Sequence, residues 1–434
     1  MMIKNLSNTN LWLVLIAFTL LIITSNINWG GEKWKGTLES DAKGYYAYNP
    51  AIFIYHDLSF NFFTQLDMEK YYNQDIFSDY RSFLNEGVVN KYYAGTAIAQ
   101  SPFFLIAHFL SSILGQDADG YSKIYMQLIH ISAIFYLIFG LFFLGRILKK
   151  YQIGNWQIIL CFLAVTFGTN AFVYTIVEPM MSHIYSFAFI SLFLFLLLEF
   201  IQFQKNIHLL LIGFSLGMII LIRPINGLVI FSIPLFVTSK KEFTTLINSI
   251  LKKRWILLLS ILSGGIIIFL QFIFYKISTN HFFIYSYAEE GFNFLDPQIF
   301  NILWSYKKGL FLYTPIYLIS LSGLFFIFKK SKFQGFAWIL LFSLITYVLS
   351  SWWMWFYGGS FSSRVYLDYL PYFIILLGIS LKELKPTAIK KSFVSLIFAF
   401  IFLCQIQSYQ YRYYILHYSE MTKEKYWDIF LKIK

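Results

Sequence analysis

The sequence predicts an all-α integral membrane protein of about eleven transmembrane helices, most of its apolar runs being long enough to cross a bilayer. Three observations carry this. The 434-residue chain is 58% hydrophobic and only 13% charged, about half the roughly 25% charge of a soluble chain. Apolar runs recur from Leu11 to Tyr411. The basic residues fall in short clusters between those runs, as cytoplasmic flanks of spanning helices do. A single polytopic domain over residues 1–434 is expected, with residues 28–122 as a long first extracytoplasmic loop carrying interfacial or re-entrant helices.

The first run, 11–27, reads as an uncleaved anchor, because Thr24-Ser25-Asn26 is a poor small-residue cleavage site. Further spans are expected at 124–145, 156–176, 184–203, 209–222, 225–238, 255–275, 310–328, 336–353, 365–381 and 393–409. The basic clusters are Arg146/Lys149/Lys150, Lys205, Lys240/Lys241 with Lys252–Arg254, Lys329/Lys330/Lys332, and Lys382/Lys385 with Lys390/Lys391. If all face the cytoplasm, an even number of crossings separates each from the next.

That parity makes 209–222 and 225–238 two short helices with Arg223 at their outer tip. It also makes 101–114 an interfacial or re-entrant helix on the outer side, since a crossing there would send every later cluster outside. The N-terminus is then cytoplasmic in a cell (inner) membrane. The outer loops are 28–122, 177–183, 276–309 and 354–364.

The formal net charge of +12 does not indicate nucleic-acid binding, since no basic domain exists to do it. Cys161 and Cys404 both sit in apolar runs and suggest neither a disulfide nor a metal site. Phosphate-loop, HEXXH and cysteine–histidine metal motifs are absent, which disfavours an ATP-driven pump.

The candidate chemistry lies in the outer loops. Glu39 and Asp41 open the first loop before the tyrosine-rich stretch containing Tyr45 and Tyr46. A carboxylate there could deprotonate an acceptor hydroxyl, ligate a hard divalent cation, or simply cap the helix that follows, as Ser40 and Asp41 both can. Glu178 and His183 flank the short second loop, where Pro179 fixes a tight link. Ionisable residues so close to a membrane core are functional candidates, and a solvated loop is the bland alternative.

Arg223, and Arg364 after Gly358-Gly359-Ser360, are the best anion ligands, because a guanidinium binds phosphate oxygens in bidentate fashion. Arg364 could instead pair with Asp368 one helical turn on. Lys308 is a weaker phosphate candidate, with Lys307 beside it. Trp352 and Trp355, with Trp353 between them, form an aromatic group that either anchors a span or borders a lipid or sugar groove.

In their order along the chain these pieces resemble the polytopic GT-C type membrane glycosyltransferases, which include protein O-mannosyltransferases and aminoarabinose transferases. The likeness covers most of the sequence: Glu39 and Asp41, Ser101–Phe104, Glu178, Arg223-Pro224, Lys308–Pro315, and Trp352–Arg364. The resemblance implies transfer of a sugar from a polyprenyl-phosphate donor to a lipid, glycan or protein acceptor at the extracytoplasmic face. It implies Asp41 as the catalytic carboxylate, Glu178 on the acceptor or metal side, and Arg364 on the donor phosphate. A divalent cation, if used, would be held by Asp41 and Glu178. The motif Glu39-Ser40-Asp41 departs from the adjacent acidic pair of the mannosyltransferases, which leaves the base and the metal open. A lipid or glycan transporter, or a polymerase or ligase of O-antigen type, is the alternative.

Overall fold

The computed structural model describes residues 8–71 and 79–433. The chain is nearly all-α. In order, its helices are α1 (Thr9–Asn28), α2 (Asp41–Pro50), α3 (Gly95–Ile113), α4 (Lys123–Lys150), α5 (Asn155–Gly168), α6 (Ala171–Ile176), α7 (Ser182–Phe203), α8 (Asn206–Ile222), α9 (Lys240–Lys252), α10 (Arg254–Thr279), α11 (Ile299–Trp304), α12 (Leu310–Tyr313), α13 (Ile316–Ser320), α14 (Gly323–Lys330), α15 (Lys332–Ser350), α16 (Leu370–Glu383), α17 (Ala388–Arg412) and α18 (Lys423–Ile429). A hairpin of β1 (Arg81–Leu84) and β2 (Gly87–Asn90) stands in the first loop.

Seven helices among the described residues are long and apolar enough to cross a membrane: α1, α3, α4, α7, α10, α15 and α17. The other expected spans are shorter or broken, and the sequence shows why. Residues 156–176 divide at Thr169-Asn170, between α5 and α6. Pro224 makes the preceding residue extended, so α8 stops at Ile222 and a 3₁₀ helix, Pro224–Phe236, follows. The stretch 310–328 breaks at Thr314-Pro315 and again at Leu321-Ser322. Arg364–Leu367 is a 3₁₀ turn that shortens the next span to the 14 residues of α16.

Charge parity puts 101–114 at the outer surface, yet α3 is 19 residues long and meets the requirements of a span by length and composition. Its hydrogen bonds with α4 nevertheless fall on the first half of that helix. The Tyr136 hydroxyl donates to the Ala99 carbonyl at 2.8 Å, and His108 meets the Tyr125 hydroxyl at 2.7 Å. α4 has 28 residues and at 1.5 Å per residue is about 42 Å long, more than the bilayer core needs.

The basic clusters meet at one end of the bundle. Lys150 pairs with Glu199, Lys253 donates to Asn206, Lys330 pairs with Glu383, and Lys382 donates to the Tyr151 carbonyl. The opposite end gathers α2, the hairpin, the α6–α7 link and the 351–364 loop. There the Asn28 amide at the end of α1 donates to the Ile176 carbonyl at 2.7 Å.

α8 and α10 cross backbone to backbone through glycines, as small-residue stripes in membrane helices allow. A Cβ on Gly213 would lie 1.9 Å from the Ser260 carbonyl oxygen, and one on Gly264 would lie 2.5 Å from that of Gly213. Neither helix can yield locally. Gly213→Leu is therefore expected to destabilise the protein by at least the ~1–3 kcal/mol of core overpacking. A lowered midpoint of thermal unfolding in detergent would show it.

Candidate functional site

Asp41 is the first residue of α2. Ser40 before it has φ 52° and makes no side-chain cap bond, so this helix start is not held by the expected hydroxyl cap. The carboxylate faces Tyr92 and Arg364 instead. The Tyr92 hydroxyl donates to Asp41 Oδ1 at 2.6 Å, and Arg364 Nη2 forms an ion pair with Oδ2.

Local sequence explains how Tyr92 arrives there. Strand β2 ends at Asn90, whose amide nitrogen donates to the Gly44 carbonyl at 2.8 Å, while its Oδ1 accepts from the Tyr92 N–H at 2.9 Å. Gly44 gives the ring its seat, since a Cβ there would come 2.2 Å from Tyr92 Cδ2. Gly44→Ala is expected to push Tyr92 off Asp41. The measurable result is a rise in the Asp41 pKa, with little change in helix content by circular dichroism.

Arg364 arrives through Gly358 and Ser362, both at positive φ. Its loop is fixed by the Phe361 N–H donating to the Tyr174 hydroxyl at 3.1 Å. Asp368 does not pair with Arg364 one turn back. Buried at 1% exposure, it accepts from His183 Nδ1 at 2.8 Å and Asn226 Nδ2 at 2.8 Å, with Arg223 Nε at 3.5 Å. His183 thus donates to Asp368 through Nδ1, and Arg223 Nη1 lies 3.1 Å from Nδ1 and 3.3 Å from Nε2 of the same ring. Four elements are tied at this point, and Arg223 is held with one side on the protein and the other on open space.

That open space is a cavity of about 580 Å³ lined by Asp41, Arg223, Arg364, Tyr45 and Trp352, among others. Its size is that of a small-molecule site, about 300–1,000 Å³. The Lys91–Glu290 ion pair, 2.6 Å long, closes another wall beside Tyr287.

The cavity therefore unites Asp41, Arg223, Arg364, Tyr45 and Trp352 from the first loop, the α8 tip and the late tryptophan–glycine loop. Other expected residues take different places. Tyr46 is wholly buried, its hydroxyl bonded to the Gly120 carbonyl. Trp355 lies outside the lining and packs on Phe356 with ring centroids 5.6 Å apart. Glu39 is exposed, just before α2. His183 stands behind Arg223, not in the cavity. Lys308 is buried and donates to the Ser360 and Tyr418 carbonyls, pinning the Arg364 loop to the C-terminal segment.

Glu178 sits apart from the cavity lining. Its Oε1 accepts from the Tyr411 hydroxyl at 2.5 Å, and its Oε2 is sealed from solvent with no partner among the described residues. No group of three or more His, Cys, Asp or Glu side chains among the described residues could hold a metal. A cation shared by Asp41 and Glu178 would have no third such ligand among the described residues, and Asp41 is already paired with Arg364 and Glu178 with Tyr411, so the described residues do not fit the metal the resemblance allows.

Electrostatics separate the two carboxylates. Burial pushes the Asp41 pKa up, but the Arg364 charge and the hydrogen bonds from Tyr92 and Arg364 overcome it, holding the carboxyl below the usual range. Burial raises Glu178 to about 7 against the Tyr411 hydrogen bond and the charge of Arg364. Burial also lowers Lys308 to about 7.

An acid whose folded pKa is raised binds more protons when folded than when unfolded, so its contribution to stability is lost as pH rises. For Glu178 the window runs from its ordinary value of 4.5 to about 7. The unfolding temperature of the wild type is expected to fall more steeply between these limits than that of Glu178→Gln. Parallel pH curves would exclude a raised Glu178.

Comparison with protein-family models and with curated protein sequences finds no match. The site stands on its geometry alone.

Several site residues carried little signal in sequence. Tyr92 looks like one interfacial tyrosine among many, and Asp368 like a helix-pairing partner for Arg364. Asn226, Lys91, Glu290 and Tyr411 have no local pattern. Only the fold brings them to their partners, across 51 residues for Tyr92–Asp41 and 142 for Asn226–Asp368.

Proposed function

We propose that the protein is a membrane glycosyltransferase moving a sugar from a polyprenyl-phosphate donor to an acceptor hydroxyl at the extracytoplasmic face. The observation that carries the reading is one cavity walled by an ionised carboxylate, Asp41, and two guanidinium groups, Arg364 and Arg223. Group transfer from a phosphate-linked sugar needs both: an anion to receive the acceptor proton and cations to stabilise the departing phosphate.

The acceptor oxygen attacks the anomeric carbon opposite the leaving group. The carbon–oxygen bond to phosphate breaks, its electron pair leaves on the phosphate, and the proton passes to Asp41. Configuration inverts, by the same facing geometry that inverting glycosidases use. Because Arg364 and Tyr92 keep Asp41 ionised, it is a weak base. Proton transfer therefore comes late, when bonding to the anomeric carbon has already acidified the hydroxyl.

Arg364 is committed to Asp41, so the donor phosphate falls chiefly to Arg223. That side chain is about one-seventh exposed (14%) and oriented by Asp368 and His183. Tyr45 and Trp352 offer aromatic faces to the sugar.

The membrane topology proposed has the N-terminus and the basic clusters on the cytoplasmic side of the cell membrane and the cavity outside. The gathering of the basic clusters at one end and of the cavity at the other supports it. Together with α1, α4, α7, α10, α15 and α17, the short helices α5, α8 and α16, the 224–236 stretch and the broken 310–330 stretch (α12–α14) would complete eleven crossings, their ends covered by neighbouring helices. α3, whose hydrogen bonds to α4 fall on the outer half of that helix, would lie at the outer face.

The test is turnover. Purified protein in liposomes, given a panel of polyprenyl-phosphate sugars and hydroxylated acceptors, is expected to release the polyprenyl phosphate from at least one donor. Absence of release from every donor, together with protein-dependent movement of glycolipid across the vesicle wall, would overturn the reading in favour of a transporter.

A further inference from the structure

The 281–300 segment joins α10 to α11 and carries an unusual load of exposed apolar side chains for a loop in water. Leu295 is 98% exposed, Phe283 81% and Phe300 73%, with Phe282, Phe292 and Phe294 between 39% and 47%. A patch of this kind marks an interaction surface.

Two contacts identify what it meets. After Thr279 the chain turns back, so that Phe282 stacks on Phe269 at 6.0 Å and Phe283 meets Phe272 at 5.1 Å. Phe269 and Phe272 lie about 10–15 Å inward from the end of α10 at 1.5 Å per residue. They share that helix with Ile266, 67% exposed, and Ile277, 65% exposed, on a span whose apolar stretch is only 17% buried in the protein. The two rings therefore lie at the depth of lipid chains. At its far end, Phe294 stacks on Tyr347 of the spanning helix α15 at 5.9 Å, and the Tyr347 hydroxyl donates to the Phe294 carbonyl at 2.8 Å. Both ends of the segment thus continue the apolar surface of a membrane-crossing helix.

The same segment forms part of the cavity rim. Tyr285, Tyr287, Glu290 and Phe292 line it, and Trp353, 51% exposed, lies beside them. The Phe292–Trp352 bridge joins the segment to the end of α15.

We propose that residues 281–300 are a flap seated among the acyl chains of the leaflet on the cavity side, and that the cavity opens sideways onto that leaflet. A ligand with a long hydrocarbon tail then enters with its tail still in the bilayer, only its head group passing Tyr285 and Phe292. The inference rests on the chain spanning a membrane and is independent of sugar transfer.

The experiment uses the full chain in phosphatidylcholine liposomes. Phe283→Cys and Leu295→Cys are each labelled with a thiol-reactive bimane. Both native cysteines, Cys161 and Cys404, are buried with 0% exposure, so labelling is selective. Leu295→Cys, at a side chain 98% exposed, leaves the ring contacts of the segment intact and serves as the check on Phe283→Cys, which removes the Phe272 contact. Nitroxide lipids with the spin label high on the acyl chain are expected to abolish most of the fluorescence of both labels. Iodide in the water is expected to leave it nearly unchanged. Asp428→Cys, on a side chain 75% exposed, serves as the iodide-accessible control. Strong iodide quenching with no lipid quenching at either position would overturn the flap. Lack of turnover with every donor would leave this result unaffected.

Discussion

Asp41→Asn is expected to lower turnover by about 10²–10⁴-fold, the range for loss of a positioned general base. In activation free energy that is roughly 3–5 kcal/mol. The change keeps the shape of the side chain and removes its charge, so the acceptor proton has nowhere to go. In the proposed reaction the donor is held mainly by Arg223, whose partners are Asp368 and His183. The loss should therefore appear in kcat while the donor KM changes little. Measuring both separates this account from simple unfolding, which would lower the active fraction without that pattern. Removing Asp41 also leaves Arg364, 10% exposed in its side chain, with no carboxylate against it. Some stability is expected to be lost as well, and Arg364→Met on top of Asp41→Asn should restore part of it without restoring turnover.

Asp368→Leu is expected to destabilise the protein by about 3–5 kcal/mol, the cost of leaving a buried charge without its partner. The carboxylate is the shared acceptor for His183, Asn226 and Arg223. Leucine fills the volume and satisfies none of them. Thermal unfolding in detergent would register the loss, and Asp368→Asn, which retains one acceptor oxygen, should fall in between. Arg223 would also lose the carboxylate that aims it, so in Asp368→Asn the donor KM is expected to rise more than kcat falls. That is opposite to the pattern of Asp41→Asn, and the contrast separates a phosphate-binding arm from a base.

Sequence makes the coarse architecture legible because burial in lipid is written in composition. Long apolar runs and basic clusters suffice to anticipate α1, α4, α7, α10, α15 and α17, and the structure places the clusters at one end. The sequence is less informative where a helix is covered by protein instead of lipid. α5, α8 and α16 are short because prolines, Thr169-Asn170 and a 3₁₀ turn interrupt them, and neighbouring helices, which hydropathy does not see, shield the interruptions.

The site divides in the same way. Asp41, Arg223 and Arg364 stand out because charge is rare in this chain and each sits beside a conformational marker: a helix start, a proline and a glycine pair. Their partners do not stand out. Nothing local distinguishes Tyr92 from Tyr93, or assigns Asp368 to Arg223 and not to Arg364. Glu178 and Lys308 illustrate the reverse case. Their charge drew attention, and the fold gives Lys308 the Ser360 and Tyr418 carbonyls and Glu178 the Tyr411 hydroxyl in place of the cavity.

The most direct measurement is a structure of the protein in a lipid nanodisc with a non-hydrolysable polyprenyl phosphonate sugar. The account predicts the phosphonate within hydrogen-bonding reach of Arg223, the anomeric carbon turned toward Asp41, and the polyprenyl tail leaving past Phe292 into the bilayer. A phosphonate bound away from Arg223, or a sugar separated from Asp41 by the Arg364 loop, would contradict it.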